Sequence, residues 1–324
     1  MKAIVYDQYG PPDVLQFREI TIPTPADNEV LVKVRAASVN PLDWHFMRGE
    51  PWFIRLMIGI RKPNEIRLGV DVAGVVEAIG RNVTQFKLGD AVFGVCRGAF
   101  AEFVCANEDK LTMMPANLSF EQAAAVPVAA ITALQGLRDK GRIKPGQKVL
   151  IDGASGGVGT FAIQIAKSFR TEVTAVCSTR NLDRARSLGA DHLIDYTRED
   201  FTRNGQSYDL ILAANAYHSI FDYRRSLNLN GICVKSGGGS ASLQAMLSES
   251  LLSLMLSLFR NKKICGIIAK LTKKDLVFLK DLLEAGKIVS VIDRSYPLSD
   301  TAEAIRYLEQ GHAQGKVVLT VERI

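Results

Sequence analysis

The chain has 324 residues, 47% of them hydrophobic and 23% charged, and a formal net charge of +6. That length exceeds one ordinary core and suits two domains, and the composition excludes a disordered or collagen-like chain. Lysines and arginines are spread without a basic block or a recognition motif, so the charge predicts a surface that favours anionic ligands and argues against a nucleic-acid partner.

The five cysteines, Cys96, Cys105, Cys177, Cys233 and Cys265, are odd in number and widely spaced, with no Cys-x-x-Cys. A disulfide framework or zinc knuckle is therefore not expected, and reduced thiols are. Met-Lys-Ala-Ile-Val-Tyr runs straight into a strand pattern, without an apolar signal core or an Arg/Ser-rich transit segment, which predicts a cytoplasmic protein.

Residues 1–123 read as β-rich. Short Val- and Ile-rich runs at Lys2–Tyr6, Glu29–Ala37, Asp71–Ile79 and Ala91–Val95 are separated by turn-formers such as Gly10-Pro11-Pro12 and Gly89-Asp90. Strands without intervening helices predict an antiparallel, barrel-like module. Ser119, followed by Glu121 and Gln122, starts a helix to Val126, and Ile131–Lys140 reads as another. Strand and helix then alternate: strand Lys148–Asp152, helix Gly157–Phe169, strand Glu172–Cys177, helix Leu182–Leu188, and strands at His192–Tyr196, Leu210–Ala213, Ile232–Lys235 and Lys263–Ile268. Alternation of this kind predicts a parallel sheet with helices on both faces. A helix over Lys273–Ala285 and the segment 289–324 follow.

Two apolar stretches, Pro51–Ile60 and Leu243–Phe259, fall short of a bilayer span. Core, subunit interface, a lid over a greasy substrate and contact with a membrane surface all remain open for them.

The sharpest local signal is Asp152-Gly153-Ala154-Ser155-Gly156-Gly157-Val158-Gly159, between an apolar strand and an Ala- and Ile-rich helix. Ala154, Gly156 and Gly159 take the G-x-G-x-x-G spacing. Small residues there allow a tight turn, close approach to a diphosphate and close helix–strand packing, and the helix N-terminus offers N–H groups to the phosphates. Dinucleotide binding is expected. After the second strand an NAD site usually carries a carboxylate for the ribose hydroxyls. Here stand Ser178, Thr179, Arg180 and Asn181, which suit the 2′-phosphate of NADPH; capping of the next helix is a compatible role for the same residues.

The chain thus resembles the medium-chain dehydrogenase/reductases, and within them the zinc-free, zeta-crystallin-like quinone oxidoreductases. The likeness rests on Met-Lys-Ala-Ile-Val, Ala37-Ser38-Val39-Asn40-Pro41-Leu42-Asp43-Trp44, Gly69-Val70-Asp71-Val72-Ala73-Gly74, Phe86-Lys87-Leu88-Gly89-Asp90, the Gly-rich loop, Leu188-Gly189-Ala190-Asp191 and Gly315-Lys316-Val317-Val318-Leu319. It implies an α/β protein with a GroES-like, barrel-containing catalytic domain over 1–123 and 269–324, and a Rossmann doubly wound domain over 124–268. Zinc-binding relatives read Gly-His-Glu where this chain reads Gly69-Val70-Asp71; Val70 cannot ligate a metal, so none is expected.

By position, the resemblance implies Asn40 and Thr132 near the nicotinamide, Ser155, Gly156, Gly157 and Val158 around the diphosphate, and Ser178 and Arg180 at the 2′-phosphate, with Ala154, Thr179 and Asn181 added from the residue pattern above. It places Tyr196 on the adenosine side, and Ser236, Gly237, Ile267 and Lys316 along the cofactor. It further implies an NADPH-dependent, zinc-independent reductase that passes hydride to a quinone or the C=C bond of an α,β-unsaturated carbonyl. Asn40 is the first candidate to meet the developing oxyanion, His45 a candidate acid, and Trp44, Trp52 and Phe53 a candidate wall of the substrate pocket. A homodimer through Lys263–Ile268 is expected. The alternatives are an NADPH-binding sensor or RNA-binding protein of low activity, and a membrane-associated protein.

Overall fold

A computed structural model of the chain describes residues 1–236 and 262–321. Gly237 and the apolar stretch 243–259 lie outside the described residues. The chain forms two compact units, 1–129 with 271–324, and 130–270.

The first unit opens with strands β1 (Lys2–Val5) and β2 (Gln16–Glu19), paired antiparallel. The long β3 (Glu29–Val39) is the centre of its main sheet. Along one edge it pairs β4 (Asp71–Ile79). On the other, its first half takes β6 (Phe103–Asn107) and its last residues take the C-terminal strand Lys316–Thr320. Strands β5 (Ala91–Val95) and β7 (Leu111–Met113) extend the sheet beyond β4. Val30, Val32, Val34, Val72, Val92, Phe100 and Val317 fill the core.

Contrary to the expectation of strands alone, a helix α1 (Pro41–Arg48) follows β3 directly. The local chemistry explains it: Asn40 caps the helix, Pro41 supplies a preset φ at the first position, and Asp43 closes a capping box by accepting the Asn40 N–H at 2.8 Å. Gly49 ends it with φ +60. A short turn at 52–54 and a single helical turn α2 (Arg55–Ile58) come next.

Ser119 does cap a helix, α3 (Phe120–Ala124), through a capping box with Gln122. The helix expected over Ile131–Lys140 starts earlier, as α4 (Pro127–Gln135), and its last turn widens into a π-type turn over Gly136–Lys140.

The second unit is built on six parallel strands: β8 (Lys148–Asp152), β9 (Glu172–Cys177), β10 (His192–Asp195), β11 (Tyr208–Ala213), β12 (Leu227–Lys235) and β13 (Lys263–Gly266). Their order in the sheet is β10-β9-β8-β11-β12-β13. The connections carry α5 (Gly157–Ser168), α6 (Leu182–Ser187) and α7 (Ile220–Arg225). The chain winds outward from β8 on one side through β9 and β10, then restarts on the other with β11. The carboxyl end of β8 is therefore the switch point, where doubly wound sheets bind their ligands.

The chain returns to the first unit with α8 (Lys273–Glu284), β14 (Ile292–Pro297), α9 (Thr301–Glu309) and β15 (Lys316–Thr320). β14 pairs β15 in parallel and so reaches β3 through it.

Candidate functional site

In the second unit, β8 carries a buried apolar run, Val149–Ile151, up to Asp152, and the chain then turns sharply at Gly153, whose φ is +80. An L side chain would be strained there and would also press Asn215 Cβ. The Ala154 N–H bonds the Val176 carbonyl at 3.0 Å, tying the turn to β9. Helix α5 begins at Gly157 with Gly156 as N-cap, so no side chain takes the first N–H groups, and the positive helix end is left to an anion.

The two glycines of the motif differ in what surrounds them. A Cβ on Gly159 would overlap the Gly153 carbonyl oxygen and stand 2.7 Å from Ala154 Cα, so this position serves the packing of helix on turn. A Cβ on Gly156 would meet only the Gly153 oxygen, at 3.7 Å, so this position leaves a space that a ligand can enter. Ser155, Gly156, Gly157 and Val158 around it are half-buried. This cradle fits a diphosphate.

After β9, Ser178 opens a short turn through Asn181. Asn181 Nδ2 donates to Ser178 Oγ at 3.1 Å, which leaves the Ser178 proton for another acceptor. Arg180 is exposed beside it. Asn181 Oδ1 and Ser236 Oγ are buried oxygens without a hydrogen-bond partner among the described residues. Ser236 follows β12 directly, so both orphaned oxygens stand beyond the carboxyl ends of strands, as the Gly-rich turn does; buried groups in that condition suit a polar ligand. Thr179 differs from the expectation for it. Its hydroxyl donates to Asp195, at the end of the neighbouring β10, so that proton is not offered to a phosphate. Hydroxyls of Thr179 and Thr197 hold the Asp195 carboxyl below its usual range. Tyr196 is exposed and bonds through its N–H to the Cys177 carbonyl at 3.2 Å. Ile267 lies one residue past β13 rather than within it, its N–H on the Lys235 carbonyl at 3.0 Å.

In the first unit, register brings distant residues to one end of the sheet. Ser38 stands opposite Asp71 on β4, Asn40 follows β3, and Lys316 opens β15. All four are buried. Asp71 Oδ2 accepts from Ser38 Oγ at 2.7 Å and Asn40 Nδ2 at 2.9 Å, with Lys316 Nζ at 3.4 Å; Asp71 Oδ1 accepts the Val128 N–H at 2.9 Å. Lys316 Nζ also donates to Asn40 Oδ1 at 2.5 Å. The second Asn40 amide proton reaches the Ser38 carbonyl at 3.3 Å. Burial pulls Lys316 below the ordinary lysine range, against the opposing pull of Asp71 and Asp43. Burial pushes the Asp43 carboxyl up to about 7, with Asp71 adding to it and the Asn40 N–H and Lys316 opposing.

Sequence reasoning placed Asn40 and Lys316 at the site but gave Asp71 no role beyond marking where a metal ligand was lacking. A carboxylate opening an otherwise apolar strand, Asp-Val-Ala-Gly-Val-Val, is the signal that could have found it, because such a group is kept buried only by partners. Another buried pair went unseen: Tyr223 donates to Asp152 Oδ2 at 2.5 Å, and His218 packs edge-on to Tyr223 and Phe201.

The remaining candidates are more scattered. Trp44 packs on the first unit's core, its ring 3.7 Å from that of His45. His45 Nδ1 lies 2.7 Å from the Glu50 carbonyl, and burial lowers the ring's pKa. At neutral pH that ring carries its proton on Nδ1 and offers Nε2 as an acceptor, a poor arrangement for an acid. Phe53 is half-buried and Trp52 is exposed, both on the 52–54 turn. Thr132 is buried on α4. All five cysteines are free. No group of three or more His, Cys, Asp or Glu able to hold a metal occurs among the described residues.

Comparison with known proteins agrees with this architecture. Residues 26–116 match the family model of the alcohol dehydrogenase GroES-like domain, and residues 188–319 that of the zinc-binding dehydrogenase. The chain is 34% identical to the chloroplast envelope quinone oxidoreductase homolog of Arabidopsis thaliana, over 98% of each chain. It is 32% identical to the chloroplastic NADPH-dependent alkenal/one oxidoreductase of the same plant, over 98% of this chain and 79% of the relative. A solved quinone oxidoreductase from Coxiella burnetii superposes with a TM-score of 0.87 at 31% identity, covering 99% of each chain. With its GroES-like first unit and its Rossmann-like parallel sheet, the chain belongs to the medium-chain dehydrogenase/reductase superfamily, in its quinone oxidoreductase-like part.

Proposed function

We propose that the protein is an NADPH-dependent reductase that transfers hydride to a quinone or to the C=C bond of an α,β-unsaturated carbonyl, without zinc. The observation that carries the reading is the turn at 153–159: an uncapped helix N-terminus at the sheet's switch point, with open space at Gly156 and close packing at Gly159. The names of the similar proteins support the substrate class.

NADPH, when bound, supplies the hydride; the chain's part is to hold, orient and shield. Ser155–Val158 hold the diphosphate with backbone N–H groups. Ser178 and Arg180 take the 2′-phosphate, Ser178 by donating its hydroxyl proton and Arg180 with its charge. Asn181 Oδ1 and Ser236 Oγ accept hydrogen bonds from the cofactor's hydroxyl or amide groups. Asn40 is fixed by Asp71 and Lys316. A substrate oxygen that gains negative charge competes for the Asn40 amide proton now on the Ser38 carbonyl, the longer of that group's two bonds. Two features support the zinc-independent reading: Val70 has no ligating side-chain atom, and both Asp71 oxygens are already engaged by neutral donors and a lysine.

Steady-state oxidation of NADPH against a panel of benzoquinones, naphthoquinones and alkenals, with and without a zinc chelator, tests the proposal. Turnover that the chelator leaves unchanged is expected. Binding of NADPH with no turnover on any acceptor would favour a cofactor-binding protein of low activity.

A further inference from the structure

The segment 51–60 has its polarity inverted. Its one charged residue, Arg55, turns inward: Nε donates to the Gly49 carbonyl at 3.0 Å, Nη2 reaches the Arg48 carbonyl at 3.3 Å, and the guanidinium lies 4.5 Å from the centre of the Tyr9 ring. Tyr9 in turn donates its hydroxyl to the Gly59 carbonyl at 2.5 Å, and the Asn64 N–H closes on the Ile58 carbonyl at 2.7 Å. The turn is thus pinned from within by polar bonds. Four of its seven large apolar side chains face water instead: Trp52 is 61% exposed, Leu56 65%, Met57 84% and Ile60 70%, while Phe53, Ile54 and Ile58 are half-buried.

A helical turn that only had to remain in water would show the opposite arrangement. Exposed apolar residues gathered on one short segment mark an interaction surface. What surrounds the patch narrows the partner. Arg61 and Lys62 follow it directly, both exposed, and neither has an ion-pair partner among the described residues. A tryptophan and three aliphatic side chains next to two unpaired cations have the chemistry of an interfacial anchor, in which apolar groups enter the acyl boundary while cations meet acidic headgroups. The protein's net charge of +6 acts in the same sense. No helix among the described residues is long and apolar enough to cross a membrane, so the contact is one of lying on the surface.

We propose that the 52–62 protrusion is a docking surface for an anionic lipid bilayer, with Trp52, Leu56, Met57 and Ile60 inserted at the headgroup level and Arg61 and Lys62 on the lipid phosphates. The inference is independent of the reductase reading.

Sedimentation of the full chain with vesicles of phosphatidylcholine alone, or of phosphatidylcholine with phosphatidylglycerol, tests it. Three forms are compared: wild type, Leu56→Ser/Met57→Ser, and Arg61→Glu/Lys62→Glu. Their mass in solution and NADPH affinity are measured alongside. The proposal expects wild type to bind the mixed vesicles, to prefer them over neutral ones and to be released by salt. Each double variant should lose at least about tenfold in partitioning, the first through lost apolar insertion and the second through lost attraction to acidic headgroups, with NADPH affinity unchanged. Absence of binding to mixed vesicles at low salt, or variants that bind as wild type does, would overturn it. So would a wild-type dimer that Leu56→Ser/Met57→Ser converts to monomer, since the patch would then belong to a second copy of the chain.

Discussion

The unlike surroundings of Gly156 and Gly159 allow packing and ligand binding to be separated by one methyl group at each position. In Gly159→Ala, the added carbon overlaps the Gly153 carbonyl and crowds Ala154 Cα, both backbone atoms that cannot swing aside. Overpacking of this kind costs about 1–3 kcal/mol, roughly 2–12 °C of melting temperature for a unit of this size. In Gly156→Ala the carbon finds open space, and the residue's φ of −78 is one that any residue adopts. Its stability should change by under about 1 kcal/mol, the range for an N-cap substitution. The same carbon occupies the space assigned to the diphosphate and displaces at least one charge-assisted hydrogen bond, worth about 1.5–3 kcal/mol. NADPH affinity should therefore fall roughly 10- to 150-fold. Thermal unfolding without cofactor and fluorescence titration with NADPH give the two quantities for each variant. Gly156→Ala binding NADPH as wild type does, or losing as much stability as Gly159→Ala, would refute the reasoning.

Arg180→Gln should weaken NADPH about tenfold or more while leaving NADH nearly unchanged, as read by paired titrations. Lys316→Met removes the cation from buried Asp71 and should cost about 3–5 kcal/mol in denaturant unfolding; Asp71→Asn, which keeps an acceptor for Ser38, should cost less. Asp43 has its folded pKa raised from 3.8 to about 7, so the folded state binds the extra proton. Its contribution to stability therefore falls as pH rises from about 4 to about 7 and is flat above that. Asp43→Asn should remove this slope in unfolding curves taken across the window. β13 ends the six-stranded sheet, and pairing of two such edges should give a particle of twice 35.5 kDa by light scattering.

What could be read in the chain was what short-range chemistry decides. The strand–turn–helix at 148–168 announces itself because three small residues are needed within eight positions. Ser119 with Gln122 marks a helix start for the same local reason. Helix α1 carried an equally local signal, Asn40-Pro41 with Asp43 at the third position, which the reading of residues 1–123 as strands alone passed over. β6, β7, β14 and β15 are short, and their pairing with β3, β5 and each other is set by the whole sheet. The Asp71–Lys316 contact joins residues 245 apart, and Tyr223–Asp152 residues 71 apart; no periodicity reports such pairs. Thr179 shows the same limit, since its hydroxyl suits a phosphate in sequence and is claimed by Asp195 from the adjacent strand.

Everything assigned to the second unit depends on its grip on a phosphorylated dinucleotide. Titration of the purified chain with NADPH and NADH side by side, by calorimetry at fixed ionic strength, is the most direct test. The account predicts saturable one-to-one binding of NADPH and at least tenfold weaker binding of NADH. Equal affinity for the two, a preference for NADH, or no binding of either would contradict it.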